Sequence, residues 1–200
     1  MKKYISVDIE ASGPVSGKHS MLSLGACLVD DINVQFYREL KPISFEFELE
    51  AIKVGCKGLH CLKSYRGELF GKSLNPESED FEPHYALNIL DKEGVFPKEA
   101  MREFEEWILK NTKEYEPVIA AAPILFDGKF ISWYFSSFLG HNPFGYSGED
   151  INSMYRGFKR DVNASIKQLN MRTGELSHNA LEDAVQQAKE FKHVLDLMKS

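Results

Sequence analysis

Four carboxylates and one imidazole, spread over three separate motifs, constrain this chain more than any other feature: Asp8 and Glu10 in VDIEASG, Asp127 in ILFDGKF, and His178 with Asp183 in SHNALEDA. Acids gathered into one pocket repel one another unless divalent cations hold them together. A fold that unites the motifs therefore has the ligands of a two-metal phosphodiester hydrolase. The first motif also fixes local geometry. The segment YISVDIE alternates like a strand and ends at the breaker Ser12-Gly13-Pro14. Residues at i and i+2 share a strand face, so Asp8 and Glu10 point the same way, roughly 6–7 Å apart. Val7 and Ile9 face inward, and both acids lie near the strand's C-terminal end, where open α/β sheets place ligands.

The third motif opens a long amphipathic helix. From Asn179 onward Leu181, Ala184, Val185, Ala188, Phe191, Val194, Leu195 and Met198 keep helical spacing. Asp183 sits in the first turns beside this apolar stripe, where an unpaired carboxylate is costly. Glu182, by contrast, reads as an acid complementing the helix dipole. His178 precedes the helix, in a loop that can bring its ring to the same pocket; a solvent-exposed capping histidine is the plainer alternative.

The remaining pattern alternates strands and helices. Strands are expected over residues 4–9, 21–29, 34–40 and 118–122, and helices over 97–112, 126–139 and 149–159. Pro97 starts the first of these helices, and Phe104, Trp107 and Ile108 form its apolar face. Residues 45–95 read as short helices and loops around a polar stretch at 71–83. Asp150 is sufficiently explained as a helix-start acid. The order of elements predicts an α/β layer fold with a mixed sheet.

With 200 residues, 43% of them hydrophobic, the chain suits one domain with a substantial core. No apolar run has membrane-spanning length and no signal-peptide pattern follows Met1, so a soluble cytoplasmic protein is expected. Cys27, Cys56 and Cys61 are odd in number and lack paired spacing, which argues against a disulfide framework. His60 and Cys61 near Cys56 lack an evident fourth zinc ligand. The net charge of −6 argues against a broad surface for duplex nucleic acid. Two divalent cations would offset four of these negative charges, which is compatible with a local single-strand site.

The D-x-E, F-D and H-x-x-x-x-D motifs, in this order and from Asp8 to Asp183, resemble those of the DEDD exonucleases, in the branch with a histidine in its last motif (DEDDh). That family includes polymerase proofreading subunits and ribonuclease T. The resemblance implies a ribonuclease H-like fold with a five-stranded mixed sheet flanked by helices, and one exonuclease domain over residues 1–200 in which 45–95 is a variable insertion. It implies a metal-dependent 3′–5′ exonuclease that binds the 3′ end of single-stranded DNA or RNA and releases nucleoside 5′-monophosphates. Asp8, Glu10, Asp127 and Asp183 are then the ligands of two Mg²⁺ or Mn²⁺ ions. Asp8 bridges them, Glu10 and Asp183 hold the ion nearer the attacking water, and Asp127 serves the other. The ordinary imidazole pKa of roughly 6.5 suits His178 to the role of general base. The backbone at Ala11 and Ser12 is expected to meet the terminal 3′-OH, and Met21 or Leu22 to wedge against the last base. Trp133, Tyr134, Phe135 and Tyr155 are aromatic candidates for stacking on bases, although helical spacing favours a core place for Phe135. By likeness to ribonuclease T a homodimer is also implied.

The chain departs from the family pattern at Pro123, where an asparagine is common, and at Ala11, where a threonine is frequent. Neither change removes a metal ligand. Two other functions stay open on sequence alone: a nucleotide-directed phosphohydrolase using the same metals, and a non-catalytic nucleic-acid-binding module on the same fold.

Overall fold

Alternation along the first strand sets the architecture. In the computed structural model, which describes residues 1–65, 73–172 and 177–199, β1 (Lys2–Ala11) is the central strand of a five-stranded sheet. It pairs antiparallel with β2 (Met21–Leu28) and parallel with β4 (Glu116–Ala121). β3 (Gln35–Glu39) and β5 (Gly148–Asp150) form the edges, giving the order β3-β2-β1-β4-β5. The expected mixed five-stranded sheet is therefore present.

Odd-numbered residues of β1, namely Ile5, Val7, Ile9 and Ala11, enter a core shared with Met101, Phe104, Phe130 and Phe135. Even-numbered residues face the opposite layer, where Tyr4 packs with Phe191. Burial on both faces suits a central strand and explains its near-continuous apolar sequence.

Among the described residues, β3 is followed by α1 (Leu49–Cys56), α2 (His60–Ser64) and α3 (Pro83–Glu93). Their own core, including Ile52, Leu59, Leu87 and Leu90, gathers around Leu22 of β2. Residues 66–72, which include the start of the polar stretch at 71–83, lie outside the described residues. α4 (Pro97–Thr112) has the bounds its proline start and apolar spacing predict. α5 (Ile124–Leu139) packs beside it and begins two residues before the expected start, directly after Pro123.

The predicted helix over 149–159 divides into β5 and α6 (Ile151–Lys159). Asp150 marks the joint: Ser153 N–H donates to its Oδ1 at 2.7 Å, capping α6. Its Oδ2 accepts from Ile124 N–H at 3.2 Å, so the same carboxylate also caps the start of α5. α7 (Ala180–Leu197) lies across β1 and β2, opposite the α4–α5 layer. Ala184, Ala188, Phe191 and Val194 are fully buried on it, whereas Met198 is half exposed. Among the described residues no helix is long and apolar enough to cross a membrane.

Candidate active site

The even-numbered face of β1 carries Asp8 and Glu10 toward α7, and the first turn of α7 brings Asp183 over them. Two glycines permit this approach. A methyl group at Gly25, the partner of Asp8 across the β1–β2 ladder, would lie 2.2 Å from the carbonyl carbon of Ala180. One at Gly58 would lie 2.0 Å from the His178 carbonyl oxygen. Both obstacles are backbone, so neither position accepts a side chain without displacing the start of α7.

Asn179 fixes that start. Its Oδ1 accepts from Leu181 N–H at 3.1 Å and Glu182 N–H at 3.2 Å, and its Nδ2 donates to the Gly58 carbonyl at 3.0 Å. One buried side chain thus caps the helix and ties it to the α1–α2 turn. His178, immediately before it, has a positive φ of 53°, a backbone conformation unusual outside glycine. Its Nδ1 lies 4.0 Å from Glu10 Oε1. Donor atoms of Glu10, His178 and Asp183 all fall within 4.8 Å of one another.

Asp127 arrives from the other layer. It occupies the first turn of α5, is 3% exposed, and its Oδ1 accepts from Ile9 N–H at 3.0 Å. The end of β1 is therefore bracketed, with Asp8 and Glu10 facing α7 and Asp127 held against the strand's own backbone. Asp8, Glu10, Asp127, His178 and Asp183 line one cavity of about 160 Å³, together with Pro123, Phe126, Arg172 and Gln187.

Within this cavity the carboxylates oppose one another's ionisation. Burial, followed by repulsion from Asp127, Glu10 and Asp183, holds the Asp8 carboxyl well above its ordinary range. Burial, then Asp183 and Asp127, pushes Glu10 up to about 9. Burial raises Asp127 to about 7 despite the Ile9 N–H, and Asp183 is raised chiefly by burial while His178 pulls it back. Four carboxylates that resist ionisation together, three of them buried and Asp8 partly so, fit a site for hard divalent cations beside the imidazole.

Two polar residues that the sequence reading missed hold this arrangement. Gln187 Nε2 donates to Asp8 Oδ1 at 2.6 Å, while its Oε1 accepts from Ala122 N–H at 2.9 Å. It joins the first motif to the chain just beyond β4. Glu190, 2% exposed, takes two hydrogen bonds from Arg172 at 2.7 and 3.1 Å. Asp183, Gln187 and Glu190 follow one another at helical spacing, so a polar stripe beside the apolar face of α7 was the available signal.

The expected substrate contacts stand differently. Met21 and Leu22 have no exposed surface, each being enclosed in a core cluster, so neither side chain presents a wedge to a base. Ala11 is also buried. Ser12 N–H donates to the Ser20 carbonyl at 2.9 Å, and the Ser12 carbonyl accepts from Glu48 N–H at 2.9 Å. Its backbone is thus committed to the β1–β2 connection on one side and to the start of α1 on the other. Tyr134, Phe135 and Tyr155 are buried among core residues and offer no stacking face, while Trp133 is partly buried against the core. Phe126, the phenylalanine of the F-D motif, lies on the cavity wall.

Comparison with known proteins places this geometry in a lineage. The chain is 35% identical over 195 residues to the 3′–5′ DNA exonuclease Cap18 of Escherichia coli, a match covering 94% of this chain and 89% of that protein. No family model matches the chain. Among solved structures, the nuclease domain of 3′hExo, a DEDDh family member bound to rAMP, superposes with a TM-score of 0.66 at 13% identity, covering 98% of this chain and 92% of that one. Pop2p of S. pombe, in its Mg²⁺- and Mn²⁺-bound form, gives 0.60 at 12% identity, over 96% and 82% of the two chains. The metal-free E. coli ExoI–ssDNA complex gives 0.56 at 12% identity, over 100% of this chain and 40% of that one. These structures share the ribonuclease H-like fold. The relationship to Cap18, together with the ordered D-x-E, F-D and H-x-x-x-x-D motifs, shows that the chain belongs to the DEDDh family of 3′–5′ exonucleases.

Proposed function

We propose that this exonuclease removes nucleotides from the 3′ end of single-stranded DNA with the help of two divalent cations. The convergence of Asp8, Glu10, Asp127, His178 and Asp183 on one cavity carries this reading. The relative's name as a DNA exonuclease supports deoxyribose over ribose as the preferred sugar. Residues 1–200 are read as one exonuclease domain, with 45–95 as its variable part; the packing of α1 to α3 around Leu22 supports their union with the sheet.

Asp8, Glu10, Asp127 and Asp183 would hold the cations. When bound, Mg²⁺ or Mn²⁺ would supply Lewis acidity to the attacking water and to the leaving 3′ oxygen. His178 takes the proton from the attacking water, whose oxygen forms the new bond to phosphorus as the P–O3′ bond breaks. The released nucleotide keeps the phosphate on its 5′ oxygen, and the leaving O3′ takes a proton from solvent to become the new 3′-OH of the shortened strand. Gln187 holds Asp8 in place through its 2.6 Å hydrogen bond. Phe126 is placed to stack on an unpaired base, an interaction worth about 1–3 kcal/mol.

A time course on matched 5′-labelled single-stranded DNA and RNA oligonucleotides, with Mg²⁺, Mn²⁺ or EDTA, tests the reading. The expected result is a metal-dependent ladder shortening from the 3′ end, faster on DNA, with nucleoside 5′-monophosphates as product. A faster RNA ladder overturns the sugar assignment. Hydrolysis of free nucleotides without any ladder overturns the substrate class.

A further inference from the structure

The carboxylate cavity adjoins a larger one of about 400 Å³, and both share Ala122 and Arg172 as part of their walls. Asn152, Ser165, Lys167 and Asn170 also line the larger cavity. Its volume lies within the range of small-molecule sites, and its amides, hydroxyl and two cations match the chemistry of a nucleotide rather than that of an apolar ligand.

Arg172 stands at the junction and is held there deliberately. Its Nε and Nη2 donate to the buried Glu190 carboxylate, while Gln186 Nε2 bonds Met171 O at 3.2 Å and Glu190 Oε1 at 3.4 Å. A buried carboxylate with no part in the catalytic set needs a reason, since enclosing an ion pair costs desolvation of both groups. The pairing fixes the guanidinium plane. Arg172 Nη1 has no protein hydrogen-bond partner among the described residues, and the side chain is 31% exposed. Phosphate is the anion that such a restrained, partly open guanidinium suits.

A strand whose 3′ terminus reacts continues only in the 5′ direction, so everything beyond the terminal nucleotide must leave across a neighbouring surface. Resting on the exonuclease reading above, we infer that Arg172, positioned by Glu190, binds a backbone phosphate on the 5′ side of the terminal nucleotide, and that the adjoining cavity with Asn152, Lys167 and Asn170 accepts the nucleotide attached to it. Arg172 is thus a substrate-binding residue, and Glu190 is a positioning residue acting through it.

Fluorescence anisotropy of a labelled single-stranded DNA oligonucleotide, with Ca²⁺ in place of the catalytic cation, tests the inference. Arg172→Ala should weaken binding about tenfold. The dependence of log affinity on log salt should become shallower by about 0.7, the signature of one lost phosphate contact on a single strand. Glu190→Gln should weaken binding in the same direction, and Arg172→Lys should restore part of the loss. In the steady state KM should rise while kcat stays within about twofold. Because Arg172→Ala strands a buried carboxylate, the double variant Arg172→Met/Glu190→Met serves as the folded control and should show the same loss of affinity and salt slope. Wild-type affinity and slope in that folded double variant overturn the inference while leaving the exonuclease reading intact. An equal loss of affinity for a nucleoside 5′-monophosphate overturns the placement 5′ of the terminal nucleotide. Failure of the wild-type protein to shorten any strand overturns the exonuclease reading and this inference with it.

Discussion

Replacing Glu10 with glutamine should make the metal-free protein more stable while destroying its activity. Glu10 is buried, faces Asp183 and Asp127, and has its carboxyl pushed from 4.5 to about 9. Below pH 4.5 the folded and unfolded chains both carry the proton, and the group contributes nothing to the pH dependence. Between 4.5 and about 9 the unfolded chain releases a proton that the folded chain retains, so stability falls as pH rises. Each pH unit in that window costs about 1.4 kcal/mol, which gives about 3 kcal/mol at pH 7 and less than about 1 kcal/mol at pH 5. Glutamine carries no proton to release and escapes this loss. For a chain of this length the gain at pH 7 corresponds to about 6–12 °C in melting temperature. Thermal unfolding of both proteins in EDTA, at a series of pH values from 5 to 8, measures it. The difference should widen steadily with pH, and Mg²⁺ or Mn²⁺ should close it by stabilising only the wild type. A glutamine variant that is less stable than wild type, or a gap that does not change with pH, would show that repulsion among buried carboxylates does not govern this cavity.

Three further outcomes follow from the same geometry. Asp183→Asn should abolish turnover with little change in the circular dichroism spectrum; retained activity in the purified variant would remove Asp183 from the metal set. His178→Ala should lower kcat about 10²–10⁴-fold and remove the part of the pH–rate profile that an imidazole base imposes, and an unaltered profile would refute its role as base. Gly25→Ala forces a methyl group against the backbone of Ala180 and Leu181, so it should cost about 1–3 kcal/mol in urea unfolding. The accompanying shift of Asp183 should lower kcat by about 10²-fold, and a wild-type rate would show that α7 does not need this close contact.

The parts of the fold legible in the sequence are those in which one local rule acts alone. α4 combines a proline start with an uninterrupted apolar face, and its expected bounds coincide with the observed ones. β1 ends at a Ser-Gly-Pro breaker and carries its acids two residues apart, so their common face follows from strand geometry. β5 has only three residues, too few for a period, and was absorbed into the helix that Asp150 caps. Gln187 and Glu190 escaped notice because a polar residue on a helix ordinarily meets solvent; only the docking of α7 against the sheet encloses them. Met21 and Leu22 show the reverse: every residue of β2 is buried, so apolar character there reports enclosure by both layers rather than a surface for a base. Phe126 carried no distinctive spacing, and its place on the cavity wall depends on the turn at Pro123 that starts α5.

The hydrogen bond from Gln187 to Asp8 spans 179 positions of the chain, which has a consequence for the nascent protein. Asp8, Glu10 and Asp127 are all synthesised before Asp183, and contacts of such long range form late, after the entropy of closing the intervening chain has been met. Until α7 docks on Gly25 and Gly58, the first two motifs lack the third, and the cavity lacks one of the four acids proposed to hold cations. Cleavage is therefore expected to require a docked α7 as well as a formed sheet.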